Sequence, residues 1–567
     1  MILHNIDRLR IEEFGANTNE LLLTDNGPQG YFCNSALQSR GARPLGGATI
    51  SATGHPKTCN MNDGLSRVEY TFAHYPAGID EAPYTGNFAV LVRGSDCEVK
   101  LELYETRSGK KVQTILPYSV VRDGVAFYVD VPAYPNVDAN LKLTVRMFPE
   151  EIIDIAFVHK SNIQDYLKGY TYNKQVRSLW GSLARSGQPI RFRPMKMFRA
   201  EEYPDDITKV DMRHCFYAGK DKDRLCMPYE AVIKDADLWQ EETGEMVIPH
   251  LNLPIDLMEP DAGLGATEII HMLNKYPKVK CTLALGNEVF YWPSNGSPGQ
   301  WLEERGKERW PHSNKDGNEM AREMLAPIAA AFFDRVRNEC ARRHELVHED
   351  QHNWPGWINQ LFDCDLWTAE CDQLGQRVLR DRWASMELVD AIYVNAYYKS
   401  KDANDNDIDP ALTQEHLDGC IRSIDDAVFA TGNLLQALNA RAGATPNHTI
   451  DLRCYEGGYG VYHSNAPKFV NTPESKQAFA HWLRAYGGIF RVRVLYADLS
   501  TMGGNGCWNH FRSAGGHLGD TVRGEAMLEY LDELHPEPVD PPIDVMTNEE
   551  LTIAYRDLER RVEALEN

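Results

Sequence analysis

The chain has 567 residues, 43% of them hydrophobic and 10% aromatic, which is length enough for two or three domains and too apolar for a disordered polypeptide. Its 59 basic residues face 82 acidic ones, and the formal charge of -23 repels nucleic acid and anionic membrane surfaces, leaving neutral partners. No apolar run reaches the roughly 18 residues of a membrane span, and the charged start "MILHNIDRLR" has no signal-peptide core, so neither a span nor a secretion signal is expected.

Residues 1–148 read as a β-sandwich of attachment or carbohydrate-binding type. "CEVKLELYE" (97–105), "VAFYVDV" (125–131) and "LKLTVRM" (141–147) alternate apolar and polar residues between Gly, Asp and Pro turns, the pattern of antiparallel strands with one wet face. Tyr70, Phe72 and Tyr75 are either core residues or a sugar-binding strip.

Residues 149–534 change rhythm to strand, helix, strand. Eight apolar segments stand in order at 152–158, 189–197, 245–253, 280–288, 344–350, 390–398, 449–458 and 491–499, with amphipathic stretches such as 319–343 between them. Eight such repeats predict a (β/α)8 TIM barrel of α/β class. Residues 535–546, rich in proline, read as a stiff linker, and 547–567 as a helix with Leu551, Tyr555, Leu558, Val562 and Leu565 at 4-3-4-3 spacing. That heptad seam predicts a homo-oligomer, the alternative being a helix docked on the chain's own body. The twelve cysteines form no C-x-x-C pair, so no zinc site is expected, and Cys281 and Cys454 read as buried thiols.

In a barrel of this kind the reacting groups sit where strands end. The fourth segment, "LALGNEVFYW" (283–292), stops on Asn287 and Glu288, and the seventh stops on "YEGG", with Glu456 followed by two glycines. Two carboxylates facing across a barrel mouth are what glycosidic cleavage needs: one protonates the leaving oxygen, the other stabilises or traps the positive anomeric centre.

This pattern resembles clan A glycoside hydrolases and, through "YEGG", glycosidase-like modules of bacteriophage virion and tail proteins. The resemblance implies that Glu288 is the acid/base and Glu456 the nucleophile, with Asn287 at the sugar 2-hydroxyl. It also implies that Arg191 in "IRFR" keeps Glu456 ionised and that Tyr397 or Tyr398, with Tyr397 favoured, hydrogen-bonds it. His250 is a candidate hydroxyl ligand from the third strand, and Trp292, Tyr459 and Trp508 are candidate stacking platforms, with core packing the competing reading for each.

Two functions remain open on the sequence: a retaining glycoside hydrolase acting on a polysaccharide or cell-surface glycan, as in a phage depolymerase, or a non-catalytic structural or receptor-binding virion protein on a degenerate barrel. The first needs no cofactor and no metal. A third, metal-dependent hydrolysis at His348, Glu349, Asp350 and His352, lacks the spacing of a known ligand set. The setting implied is a virion surface in contact with other virion proteins, or otherwise the cytoplasm.

Overall fold

The computed structural model describes residues 12–17, 39–51, 55–60, 62, 64–75, 86–105, 108–117, 119–121, 126–132, 139–146, 148, 150–185, 187–194, 228–259, 265–286, 289, 298–315, 317–350, 355–442, 450–461, 463–495 and 518–534. The linker at 535–546 and the heptad segment at 547–567 lie outside them.

Eight parallel strands close into a barrel: Glu13–Asn17, Ile190–Arg193, Val247–Leu253, Thr282–Leu285, Glu345–Asp350, Ala391–Tyr398, Asp451–Tyr459 and Phe490–Leu495. The last seven are the strands expected from the sequence. The first is not. It is the short segment Glu13–Asn17, which pairs in parallel with Ile190–Arg193 on one side and Phe490–Leu495 on the other. Closure at this seam is electrostatic as well as backbone-bonded. Glu12, 1% exposed, pairs with Arg493 and accepts a hydrogen bond from the Gly488 amide at 2.9 Å and another from the Tyr530 hydroxyl at 3.1 Å. Those contacts fasten the first strand to the eighth and to the helix Val522–Leu534.

The segment taken from sequence as the first barrel strand runs instead as Asp154–His159, antiparallel to Gly86–Arg93, at the edge of a four-stranded sheet. It misled for a physical reason: Ile155 and Phe157 are buried on one face, and Ala156 and Val158 on the other. A strand buried on both faces reads as the continuous apolar run of a parallel strand. A domain boundary at 148 is therefore corrected. The antiparallel strands between Ser39 and His159 are inserted between the first and second barrel strands.

These strands form a four-stranded and a five-stranded sheet, and one apolar cluster draws on both, with Phe88, Val90 and Phe157 from the first and Val68, Leu101 and Leu143 from the second. Tyr70 belongs to that core at 5% exposure, so it is no sugar platform. The side chains of Phe72 and Tyr75 lie outside the described residues.

Around the barrel, the helices start and stop where local chemistry dictates. Asn173 caps Lys174–Gly181 by accepting from the Val176 amide at 3.0 Å, and Thr472 caps Pro473–Ala485, with proline at the first turn where no amide is needed. Gly244, at φ +75°, ends Tyr229–Thr243 in the left-handed conformation. Trp180, Trp383 and Trp482 fill the space between helices and strands without exposure above 1%. Among the described residues no helix is long and apolar enough to cross a membrane.

Candidate active site

Strand residues two apart face the same side, so Arg191 and Arg193 both point into the barrel, one step apart along its axis. They serve different layers. Arg191 lies in the lower one, paired with Glu13 and held by both oxygens of Glu345 at 3.0 Å. Arg453 at 2.6 Å and Lys280 at 2.7 Å also pair with Glu345, whose carboxyl is held well below the usual range because these cations outweigh the cost of burial. Arg191 is thus not the residue beside Glu456. The guanidinium there belongs to Arg193.

Arg193 is fully buried and bridges two carboxylates: Nη1 to Glu456 Oε1 at 3.0 Å and Nη2 to Glu349 Oε2 at 3.0 Å. Its Cζ also lies 5.0 Å from the centre of the Tyr455 ring. Glu456 Oε2 accepts from the Tyr397 hydroxyl at 2.8 Å. Glu349 Oε2 accepts from Asn252 Nδ2 at 2.8 Å, and its Oε1 lies 2.8 Å from His250 Nε2, off the line of a hydrogen bond. His250, expected to meet a substrate hydroxyl, is 4% exposed and turned to Glu349.

The seventh strand reaches this layer through a bulge. Val394 pairs with Cys454 and Asn395 with Glu456, so Tyr455 has no opposite residue. Without that extra residue the alternation that puts Arg453 and Tyr455 inside would turn Glu456 outward. The bulge lets consecutive residues face the interior, Tyr455 in the inner cluster with Val347 and Tyr393, and Glu456 above it. The glycines that follow are both required. A Cβ on Gly457 would fall 2.7 Å from Trp482 and 2.8 Å from Cys454 Sγ, and Gly458 has φ +127°.

At the end of the fourth strand, Gly286 turns the chain at φ +69°; its amide donates to the Leu253 carbonyl at 2.7 Å, and its carbonyl accepts from Asn252 Nδ2 at 2.7 Å. A Cβ there would meet Val289 at 2.5 Å and Ile255 at 2.9 Å. Asn252 therefore ties this strand end to Glu349. Asn287, Glu288 and Trp292 lie outside the described residues, as does Trp508.

Tyr459 is elsewhere. With no exposure, it points into the helix layer, its hydroxyl 2.8 Å from His416 Nε2 and its ring against Phe469. Its neighbour His416 also meets the Ile408 carbonyl through Nδ1 at 2.8 Å, which fixes Nδ1 as the donor and Nε2 as the acceptor from tyrosine. This pins the loop after the sixth strand to the helix Thr413–Arg441. The fifth-strand cluster also separates: Glu349 faces inward, while Asp350 turns outward to Arg322 on the helix Gly317–Glu339 at 3.9 Å with His348 Nε2 3.7 Å from it, and His352 lies outside the described residues. Among the described residues no group of three or more His, Cys, Asp or Glu is placed to hold a metal ion.

The two carboxylates on Arg193 differ in charge state. Burial raises both, but Arg193 and His250 hold Glu349 down to about 2. In Glu456 burial prevails over Arg193 and Tyr397, with Glu349 adding repulsion, and the carboxyl rises to about 7. The arginine and tyrosine therefore position Glu456 without making it a strong acid, contrary to the expectation that they keep it charged.

Arg193 and Asn252 escaped the sequence reading, and Glu349 entered it as a metal candidate, not as a partner of Glu456. The signal was present in "IRFR" and "PHLN", where polar residues recur at period two within apolar strands, but in "VHED" three polar residues run together and no alternation singles out Glu349; periodicity gives the face of a strand but not the height along the barrel axis.

No protein-family model matches the chain, and no curated protein matches it. Solved structures similar to it are glycoside hydrolases. The xylanase 10B of Clostridium thermocellum, solved as carbohydrate-binding and family 10 catalytic modules with xylohexaose, shares 12% identity over 88% of this chain and 96% of its own, at a TM-score of 0.36. A family 51 arabinofuranosidase of Xanthomonas axonopodis shares 10% over 57% of this chain and 60% of its own, at 0.33. A family 44 xyloglucanase of Paenibacillus polymyxa, solved with xyloglucan, shares 12% over 55% and 70%, at 0.31.

Proposed function

We propose that this chain is a retaining glycoside hydrolase acting on a polysaccharide, with Glu456 as nucleophile and Glu288 as acid/base. The observation that carries the reading is Glu456 itself: a buried carboxyl turned inward by a bulge near the carboxyl end of the seventh strand, with one oxygen on Arg193 and the other on Tyr397. Two directed partners fix the orientation of the carboxylate, which suits attack along one line.

In the proposed first step an oxygen of Glu456 attacks the anomeric carbon while Glu288 gives its proton to the departing glycosidic oxygen. Water, deprotonated by Glu288, then attacks the same carbon and releases Glu456 as the carboxylate. Glu288 follows Gly286 by two residues in the sequence, and the anchored Gly286 carbonyl fixes where that segment begins. Asn287 would meet the 2-hydroxyl, and Trp292 and Trp508 would line subsites. Because Glu456 is raised to about 7, the active anion forms as pH rises through neutrality, and turnover should fall on the acid side.

The narrower setting we propose is a phage tail or particle-surface depolymerase. It rests on the "YEGG" strand, the heptads of 547–567 as a self-association helix, and the antiparallel sheets as an attachment or glycan-binding sandwich. A non-catalytic glycan-binding barrel is the second reading, favoured by the 4% exposure of Glu456 and by its weak acidity.

Glu456→Gln keeps the shape and removes the charge. It is expected to abolish glycan hydrolysis, by roughly 10^4-fold or more, while circular dichroism and glycan binding stay near wild type. Turnover surviving in this variant would remove Glu456 from the mechanism; a wild-type chain that binds glycans and cleaves none would establish the second reading.

A further inference from the structure

We propose that Glu349 is a positioning residue for Glu456: by sharing the guanidinium of Arg193 it withholds part of that charge and thereby sets the pH at which Glu456 becomes an anion. The pH consequence for turnover rests on the reading of Glu456 as nucleophile; the control of its charge does not.

The geometry is a three-strand relay. Arg193 on the second strand presents one amino group to each carboxylate, both at 3.0 Å. All three side chains are buried, Arg193 at 0%, Glu349 at 3% and Glu456 at 4% exposure, so no bulk water screens the competition. One positive charge stands against two negative ones. Glu349 has the better claim, because Asn252 Nδ2 donates to it at 2.8 Å and His250 Nε2 lies at 2.8 Å, whereas Glu456 adds the neutral hydroxyl of Tyr397. The groups that face Glu456 among the described residues are Arg193 from the second strand, Glu349 from the fifth with His250 behind it from the third, Tyr397 from the sixth, and Cys454 and Tyr455 on its own strand. Glu349 is the anion in that set that opposes ionisation of Glu456. The values near 2 and near 7 given above have the order this competition requires.

A residue that only props up Arg193 would behave differently. Its loss would displace the guanidinium and lower activity by the same factor at every pH. A residue that competes for the charge would, on becoming neutral, hand the whole guanidinium to Glu456 and move its ionisation to lower pH.

The experiment is a carbon-13 carboxyl titration of the full chain labelled with [5-13C]glutamate, with Glu456→Gln identifying the Glu456 resonance. In the wild type that resonance is expected to titrate near neutrality. In Glu349→Gln it is expected to titrate lower by about one pH unit or more, and the acid limb of kcat/KM should move with it, about tenfold in relative activity at pH 5.5. A Glu456 titration unchanged in Glu349→Gln, or a uniform loss of activity with no shift of the limb, would overturn the proposal. If Glu349→Gln does not fold, the wild type decides: titration of Glu456 near the ordinary glutamate value of about 4.3 refutes the competition, and titration near neutrality supports it. A resonance that shifts as expected in a protein that hydrolyses no glycan would uphold the role of Glu349 and defeat the nucleophile reading.

Discussion

Replacing Arg193 by methionine is expected to destabilise the protein strongly at pH 8 and much less at pH 5.5. The side chain removed is the shared counter-charge of Glu349 and Glu456, both buried. Taking one partner from a buried ionic group costs about 3–5 kcal/mol, chiefly because the remaining charge is stranded away from water. At pH 8 both carboxylates would be stranded. At pH 5.5 the variant can relieve the penalty by taking up protons, since loss of the cation raises both carboxyls. The wild-type balance has the opposite dependence for Glu349: its folded value near 2 lies below the unfolded 4.5, so its contribution is complete above that range and fades as pH falls through it. The difference between variant and wild type must therefore shrink on acidification. Urea unfolding at the two pH values measures it, and an equal loss at both would mean that Arg193 acts through packing. Under the proposed function, hydrolysis should fall by about 10^2-fold or more, as for removal of a preorganised charge at a reacting centre.

The second large effect lies a layer below. Glu345→Leu is expected to cost about 3–5 kcal/mol without pH rescue in the neutral range, because it strands cations that do not titrate there. Glu345 gathers Arg191, Arg453 and Lys280 and accepts from the Thr282 hydroxyl at 2.9 Å. A neutral side chain of similar bulk leaves the two arginines inside a closed barrel with less compensation. Denaturant unfolding at pH 7 should show the midpoint falling with little change in slope. A loss below about 1 kcal/mol would mean that Glu13, paired with Arg191, and Asp451, 3.4 Å from Arg453, suffice for those arginines. The contrast between the variants separates the two layers: the loss in the upper one fades on acidification, and the loss in the lower one does not.

Much of this architecture was legible in the sequence, and the failures are instructive. The last seven barrel strands could be read because each is an apolar run spaced by an amphipathic helix. The first could not. Glu13–Asn17 is five residues long with a glycine at its centre, and it is a strand because neighbours on both sides supply backbone partners. Its place was given to Asp154–His159, whose two buried faces imitate a parallel strand. Glu456 and Tyr397 were singled out at strand ends, and the structure brings them within a hydrogen bond of each other. The choice between Arg191 and Arg193 was not readable, because both satisfy the same alternation. The bulge at Tyr455 was likewise invisible, since nothing local in "CYEGG" announces that Tyr455 and Glu456 share a face. Tyr459 misled in the opposite sense: an aromatic after two glycines invites a subsite, yet it is the next outward position and packs on His416 and Phe469.

The central claim is that Glu456 bonds to the sugar. Mass spectrometry of the full chain, acid-quenched during turnover of an activated aryl glycoside that it hydrolyses, tests this directly. The account predicts a glycosyl ester on the peptide containing Glu456, together with a first-formed sugar of retained anomeric configuration. Inverted product with no adduct, or an adduct carried by another residue, would contradict it.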